Sequence, residues 1–185
     1  DFVAGKTAWL TKYMALVPEK IKFQYITGEI HHVFGRAYPL QVCLGMRDDA
    51  VVSTDGELQL VLRTKQRERE KVFKAGMKRI LLWEIEKQLE IWTKRMAIPE
   101  SRITGVTIRV MKSRWGSCRR VTGRFSFALD LVTKPKECIE AVVVHELCHL
   151  FAAGHGPDFY ARMETYLPDY KERDRLLASL PRELV

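Results

Sequence analysis

The hydrophobic positions of this chain change period along its length. From Lys22 to Gly45, in KFQYITGEIHHVFGRAYPLQVCLG, aromatic and branched residues alternate with polar ones around turn signals at Gly28 and Gly35, and a period of two marks strands. VVSTDGELQLVL repeats the alternation with Asp55-Gly56 between two apolar runs, a strong hairpin signal, so this half is predicted to be an antiparallel sheet. His31 and His32 fall on a strand, where adjacent residues face opposite sides and cannot easily chelate one ion together. From Lys65 to about Ala97 the period becomes helical. Val72, Phe73, Met77, Ile80, Leu81, Ile85, Leu89 and Trp92 recur at three- and four-residue steps before Pro99 closes the segment, which predicts one long amphipathic helix with Trp83 and Trp92 in the core.

GVTIRVMKSRWGSC then alternates up to a Gly-Ser turn and GRFSFALDLV alternates again, giving two strands that lead into an apolar helix. That helix carries Ile139, Ala141, Val142, Val143, Val144, Leu147, Leu150 and Phe151, and Thr133 or Lys134 followed by Pro135 marks its start. Pro157 begins another helix through Tyr166, LPDYKERDRLLASL supplies a last one, and Asp1 to Leu16 reads as a short helix ended by Pro18. The expectation is an α+β fold in which a mixed or antiparallel sheet packs on a long backing helix and on the apolar helix, with a helical C-terminus. No repeat or low-complexity linker divides the chain. One unit over 1–185 is expected, with a helix and hairpins to 64 and the larger part over 65–185.

At 185 residues, 46% hydrophobic and 29% charged, the composition is that of a globule with a real core. No apolar run approaches the ~18 residues of a membrane span, and the opening stretch lacks the layout of a signal peptide, so a cytoplasmic protein without membrane contact is expected. The chain starts at Asp1 without a methionine, and further residues are expected upstream. Cys43, Cys118, Cys138 and Cys148 form no CxxC pair, which predicts reduced thiols, with Cys148 packed in the core. A net charge of +8 favours anionic partners such as nucleotides, nucleic acid or acidic peptides. Much of it lies in LRTKQREREKVFK and WTKRMAI, solvated helix faces. Lys112, Arg114, Arg119, Arg120 and Arg124 crowd around MKSRWGSCRR, either a basic turn or an anion-binding cluster.

The candidate chemistry sits in HELCHLFAAGH. Positions four apart on a helix share a face, so His145 and His149 can both reach one metal ion. Glu146, about 100° around the helix, is placed for a metal-activated water rather than for ligation, and is the candidate general base. Gly154 is expected to take a positive φ and end the helix, returning His155 as the third ligand. Three protein ligands leave a fourth position open, the arrangement of a catalytic zinc site. Arg114 is the candidate to hold developing charge, with Lys112 and Ser117 as further substrate contacts and Trp115 either a cleft wall or a residue buried beneath the turn.

KSRWGSC at Lys112 to Cys118, VVVHELCHL at Val142 to Leu150 and HGPDFY at His155 to Tyr160 resemble, in order and spacing, the motifs of the YgjP-like metal-dependent hydrolases, a branch of the zincin metallopeptidases close to SprT-like and WLM domains. GEIHHVFGRAYPLQV also looks like the family's N-terminal strands. The resemblance implies a zincin-like fold with His145, His149 and His155 as zinc ligands and Glu146 as the catalytic carboxylate. It also implies an opening β segment that this chain lacks. Ala152 stands where metzincins have glycine, and Gly156 where many relatives have serine. The implied activity is peptide hydrolysis, with β-augmentation of an extended peptide on an edge strand at Arg124 to Leu131. The family has also been linked to nucleoside triphosphate pyrophosphohydrolysis, UTP in particular, where Mg²⁺ or Mn²⁺ would accompany the substrate. A third reading is a basic zinc domain that binds nucleic acid without catalysis.

Overall fold

The structure, a computed structural model, describes residues 22–65 and 68–184. The helix expected over Asp1 to Leu16 lies outside them. Strands β1 (Ile30–Val33), β2 (Arg36–Leu44), β3 (Asp49–Val52) and β4 (Leu58–Leu62) precede helix α1 (Arg69–Arg95). After a 3-10 turn at Glu100–Arg102 come β5 (Gly105–Arg109), β6 (Gly116–Arg119) and β7 (Arg124–Ala128). A second 3-10 turn, Leu129–Thr133, leads into α2 (Lys136–Cys148), α3 (Pro157–Tyr166) and α4 (Tyr170–Ser179).

The strands form two sheets, ordered β1-β2-β4-β3 and β5-β7-β6. The Asp55-Gly56 hairpin joins β3 and β4 antiparallel, but β4 rather than β3 lies beside β2, and that pairing is parallel. The N-terminal sheet is therefore mixed and not antiparallel throughout. β4 takes the inner position because Leu58, Leu60 and Leu62 all point into the core, whereas one flank of β3 is left open. His31 and His32 face opposite sides as period two requires: His31 is buried against Phe73, and His32 reaches Glu183.

The second sheet departs from expectation in two ways. The stretch read as a Gly-Ser turn is itself a strand, β6, and β7 lies in the middle, parallel to β5 and antiparallel to β6. Arg124 to Leu131 therefore offers no free edge, because both sides of β7 are already paired, and the segment turns into a 3-10 helix at Leu129. Among the described residues the edge strands of this sheet are β5 and β6, and β6 is the one that packs on α2.

α1 lies along both sheets and α2, burying Phe73, Met77, Leu81, Ile85, Leu89 and Trp92 on one face. Trp83 falls about 160° around the helix from Ile85 and is 61% exposed, with Lys87 over its ring, so it is not a core residue. α2 is apolar nearly all round, as a helix enclosed by neighbours must be: Ile139, Val143, Val144 and Leu147 are fully buried. Cys148 is buried as well, and all four cysteines are free thiols. Among the described residues no helix is long and apolar enough to cross a membrane.

Candidate functional site

α2 ends at Cys148, with His149 as its cap residue still in right-handed helical geometry. The chain then tightens through backbone bonds from Leu150 to Leu147 and from Phe151 and Ala152 to Cys148. The helix therefore stops well before Gly154, which is not among the positive-φ glycines. The return of the chain comes from this tightened last turn.

His145 and His149, one turn apart, meet His155 from the connection to α3. Their ring centroids are 4.8 to 5.0 Å apart, and one nitrogen from each lies within 4.8 Å of the others. Nε2 of His145 and Nε2 of His155 are 3.0 Å apart, close to the roughly 3.3 Å that two nitrogens on a tetrahedral zinc would span from bonds of ~2.0–2.1 Å. Nδ1 of His149 lies 3.2 Å from the Ala152 carbonyl oxygen. A carbonyl only accepts, so Nδ1 carries the proton and Nε2 keeps its lone pair, the tautomer a metal ligand needs. Burial, and then the neighbouring imidazoles His149 and His155, hold His145 down to a pKa of about 4, and burial also lowers His149. Imidazoles held neutral and facing one another suit a shared cation. Phe159 of α3, fully buried, packs its ring 4.7 to 4.9 Å from all three.

Glu146 lies against β6 and lines the same cleft as the imidazoles. It is 4% exposed, and its Oε2 has no hydrogen-bond partner among the described residues. Burial pushes its pKa up to about 8, with the positive charge of Arg114 pulling the other way. Gly116 of β6 lies directly against it: a Cβ there would sit 2.5 Å from Oε1 and 2.7 Å from Cγ. The strand edge and the carboxylate approach this closely because residue 116 has no side chain.

A cleft of about 640 Å³ opens over these groups. Arg114, Trp115 and Ser117 line it on the β6 side with Arg120 at its end, and Phe159, Tyr160, Met163, Tyr170, Asp174 and Leu177 line the far wall. Lys112 is exposed and does not line the cleft. The donor set thus fits a zinc ion with an open side: three imidazoles converge, and a buried carboxylate with an oxygen unpartnered among the described residues lines the same cleft.

Several contributors have no assignment from the sequence. Phe159 sits in the HGPDFY motif, which signals its place but not its role. Gly116 likewise sits in the KSRWGSC motif without a role read from it, and the α4 residues Tyr170, Asp174 and Leu177 carry no local signal, because they reach the site only through tertiary packing. Arg182 is similar: its guanidinium stacks 3.7 Å from the Trp115 ring centroid while donating to the Met111 carbonyl at 2.8 Å, which holds the approach to β6.

Comparison with known proteins gives a match over residues 1–180 to a family described as YgjP-like, metallopeptidase domain. Among solved structures, the chain is similar to the metallopeptidase zymogen of Pyrococcus abyssi abylysin, at 24% identity over 55% of this chain and 99% of that one, with a TM-score of 0.46. It is also similar to the metallopeptidase zymogen of Methanocaldococcus jannaschii jannalysin, at 21% identity over 51% and 93%, with a TM-score of 0.45. No curated protein matches it.

Proposed function

The chain belongs to the YgjP-like metallopeptidase-domain family, a family of metal-dependent hydrolases, and from that premise we propose that it cleaves peptide bonds, with His145, His149 and His155 holding zinc and Glu146 as general base. The observation that carries this reading is the juxtaposition of three convergent imidazoles with a buried, unpartnered carboxylate, both open to one cleft. Bound at the imidazoles, zinc supplies Lewis acidity, polarising a carbonyl and bringing the pKa of water toward neutrality.

The protein's own residues do the rest. Glu146 accepts the proton of the attacking water and returns it to the leaving amine. Its environment suits both of these proton transfers, because burial raises its proton affinity while Arg114 and a cation at the imidazoles pull it back toward the working pH. The Nδ1–H of His149, donated to Ala152, fixes that ring. Phe159 backs all three rings with a rigid apolar surface and keeps their other side dry. Arg114, on the cleft wall, is placed to balance negative charge that develops on the substrate. The edge strand β6 gives an extended peptide a strand to pair with, and the Gly116–Glu146 contact sets the carboxylate directly beside that strand.

A second reading, nucleoside triphosphate pyrophosphohydrolysis with Mg²⁺ or Mn²⁺ on the substrate, draws on Arg114 and Arg120 in the same cleft. One assay separates the two. Wild type and Glu146→Gln, matched for zinc content, are incubated with an unfolded protein and with a nucleoside triphosphate panel. The peptide reading expects the wild type to cut the protein and the variant to retain zinc but lose at least about 100-fold in turnover. Turnover of triphosphates alone supports the second reading, and equal turnover by the two proteins removes Glu146 from its role.

A further inference from the structure

Between Glu100 and Asp130 the sequence contains no acidic residue and seven basic ones: Arg102, Arg109, Lys112, Arg114, Arg119, Arg120 and Arg124. Elsewhere several surface charges are paired, Lys74 with Glu70, Lys94 with Glu90, Lys171 with Glu164 and Arg175 with Glu172. None of Arg102, Arg119 or Arg120 has a carboxylate partner among the described residues. These three arginines place positive charge close together on the rim where β6 ends.

That rim is folded into a hollow. Arg102, Thr104, Arg120, Thr122 and Leu150 help to line a space of about 390 Å³ that holds no acidic side chain. Arg120 also lines the larger cleft, so the two spaces adjoin. The frame is firm. The β6–β7 turn closes with Thr122 and Gly123 donating to the Arg119 carbonyl, and it is fastened to the preceding 3-10 turn by Thr104 N–H donating to Gly123 O at 2.9 Å. Gly123 has φ 63° and lies flush on the Arg102 carbonyl, leaving no room for a side chain. Arg102 and Arg120, 18 positions apart, are therefore held on two walls of one hollow, and both act electrostatically on the intervening Cys118 thiol. Two guanidinium groups without counter-ions in a concave, hydroxyl-lined space form a receptor for a carboxylate.

The strand relates this hollow to the proposed chemistry. Gly116 abuts Glu146 and Arg119 ends β6, three residues or about 10 Å further along. We infer that the substrate carries an aspartate or glutamate about three residues to one side of the scissile bond, its carboxylate seated between Arg102 and Arg120. This rests on the peptide reading of the site and adds the class of peptide to it.

The test has two arms. In the first, zinc-loaded wild type digests a proteome-derived peptide library, and residue frequencies around the cut bonds are counted. Aspartate and glutamate are expected to be enriched severalfold at one flanking position about three residues away, and the Arg102→Glu/Arg120→Glu double variant is expected to prefer lysine and arginine there. Both side chains are exposed; should the double variant misfold, Arg102→Gln alone serves, with a reduced acidic preference expected. In the second arm, an acidic peptide and its Asn/Gln counterpart are titrated onto zinc-loaded Glu146→Gln, which reads binding without turnover. The acidic form is expected to bind at least about tenfold tighter, with the difference shrinking as salt rises. A library cut without acidic preference, or equal binding of the two peptides, overturns the inference and leaves the peptidase reading standing. A preference in binding with no peptide cut removes the peptidase reading and keeps the receptor. A nucleoside triphosphate that needs these arginines, with no binding of the acidic peptide, also overturns it.

Discussion

At the scale of single residues, the account turns on Glu146 and what surrounds it. Its carboxyl is held at about 8 in the folded chain against an ordinary 4.5, so between those values the folded state binds a proton that the unfolded state does not. The metal-free wild type should lose stability relative to Glu146→Gln as pH rises from 4.5 to 8, because the variant has no carboxylate to ionise. Thermal scans of both proteins in chelator read this as a Tm gap that widens in the variant's favour across that window and is flat above it; a gap independent of pH would mean the carboxyl is not held in that way. Gly116 sets the other side of the group. Gly116→Ala places a methyl on Oε1 and Cγ of Glu146 and must displace the carboxylate, which is expected to lower kcat by about 10–100-fold with zinc content unchanged. Unaltered kcat with zinc retained would show that the close approach has no bearing on the reaction. The spacing of His145, Glu146, His149 and His155 is local and legible along the chain. The contact of Gly116 with Glu146 joins two distant segments and is not, and Lys112 neighbours Arg114 in sequence yet stands outside the cleft.

At the scale of elements, periodicity finds every described helix, yet it says less about the sheets. Alternation identifies strands and the Asp55-Gly56 turn identifies a hairpin, but neither states which strand lies beside which. That order is set by tertiary packing, which places β4 between β2 and β3, and β7 between β5 and β6. The order bears on the proposed peptide binding, since among the described residues the edge strand beside Glu146 is β6. The end of α1 shows a local rule set aside. Ala97 N–H donates to Lys94 O and Ile98 N–H to Thr93 O, the two bonds of a Schellman closure, with Ala97 at φ 51° where glycine is usual. Ala97 is exposed, so Ala97→Gly removes strain without loss of packing. A gain of roughly 1 kcal/mol is expected, or about 2–4 °C in Tm, and a lower Tm would show that the left-handed geometry is not what limits the closure.

At the scale of the whole molecule, both sheets and α2 pack on α1. The segment after α4 then binds the parts around the site. Fully buried Asp130 accepts the backbone N–H groups of Glu183 and Leu184 at 2.7 Å each, and buried Lys134 donates to the Pro181 carbonyl and lies near Glu183. Arg182 is thereby brought onto Trp115, so the wall of the cleft is braced from a segment far along the chain. In the proposed mechanism, such bracing would keep a water, the Glu146 base and a cation in register. The most direct measurement is X-ray absorption at the zinc edge on the loaded protein. Three imidazole nitrogens and one oxygen at ~2.0–2.1 Å are predicted, and a sulfur scatterer near ~2.3 Å, or fewer than three imidazoles, would contradict the account.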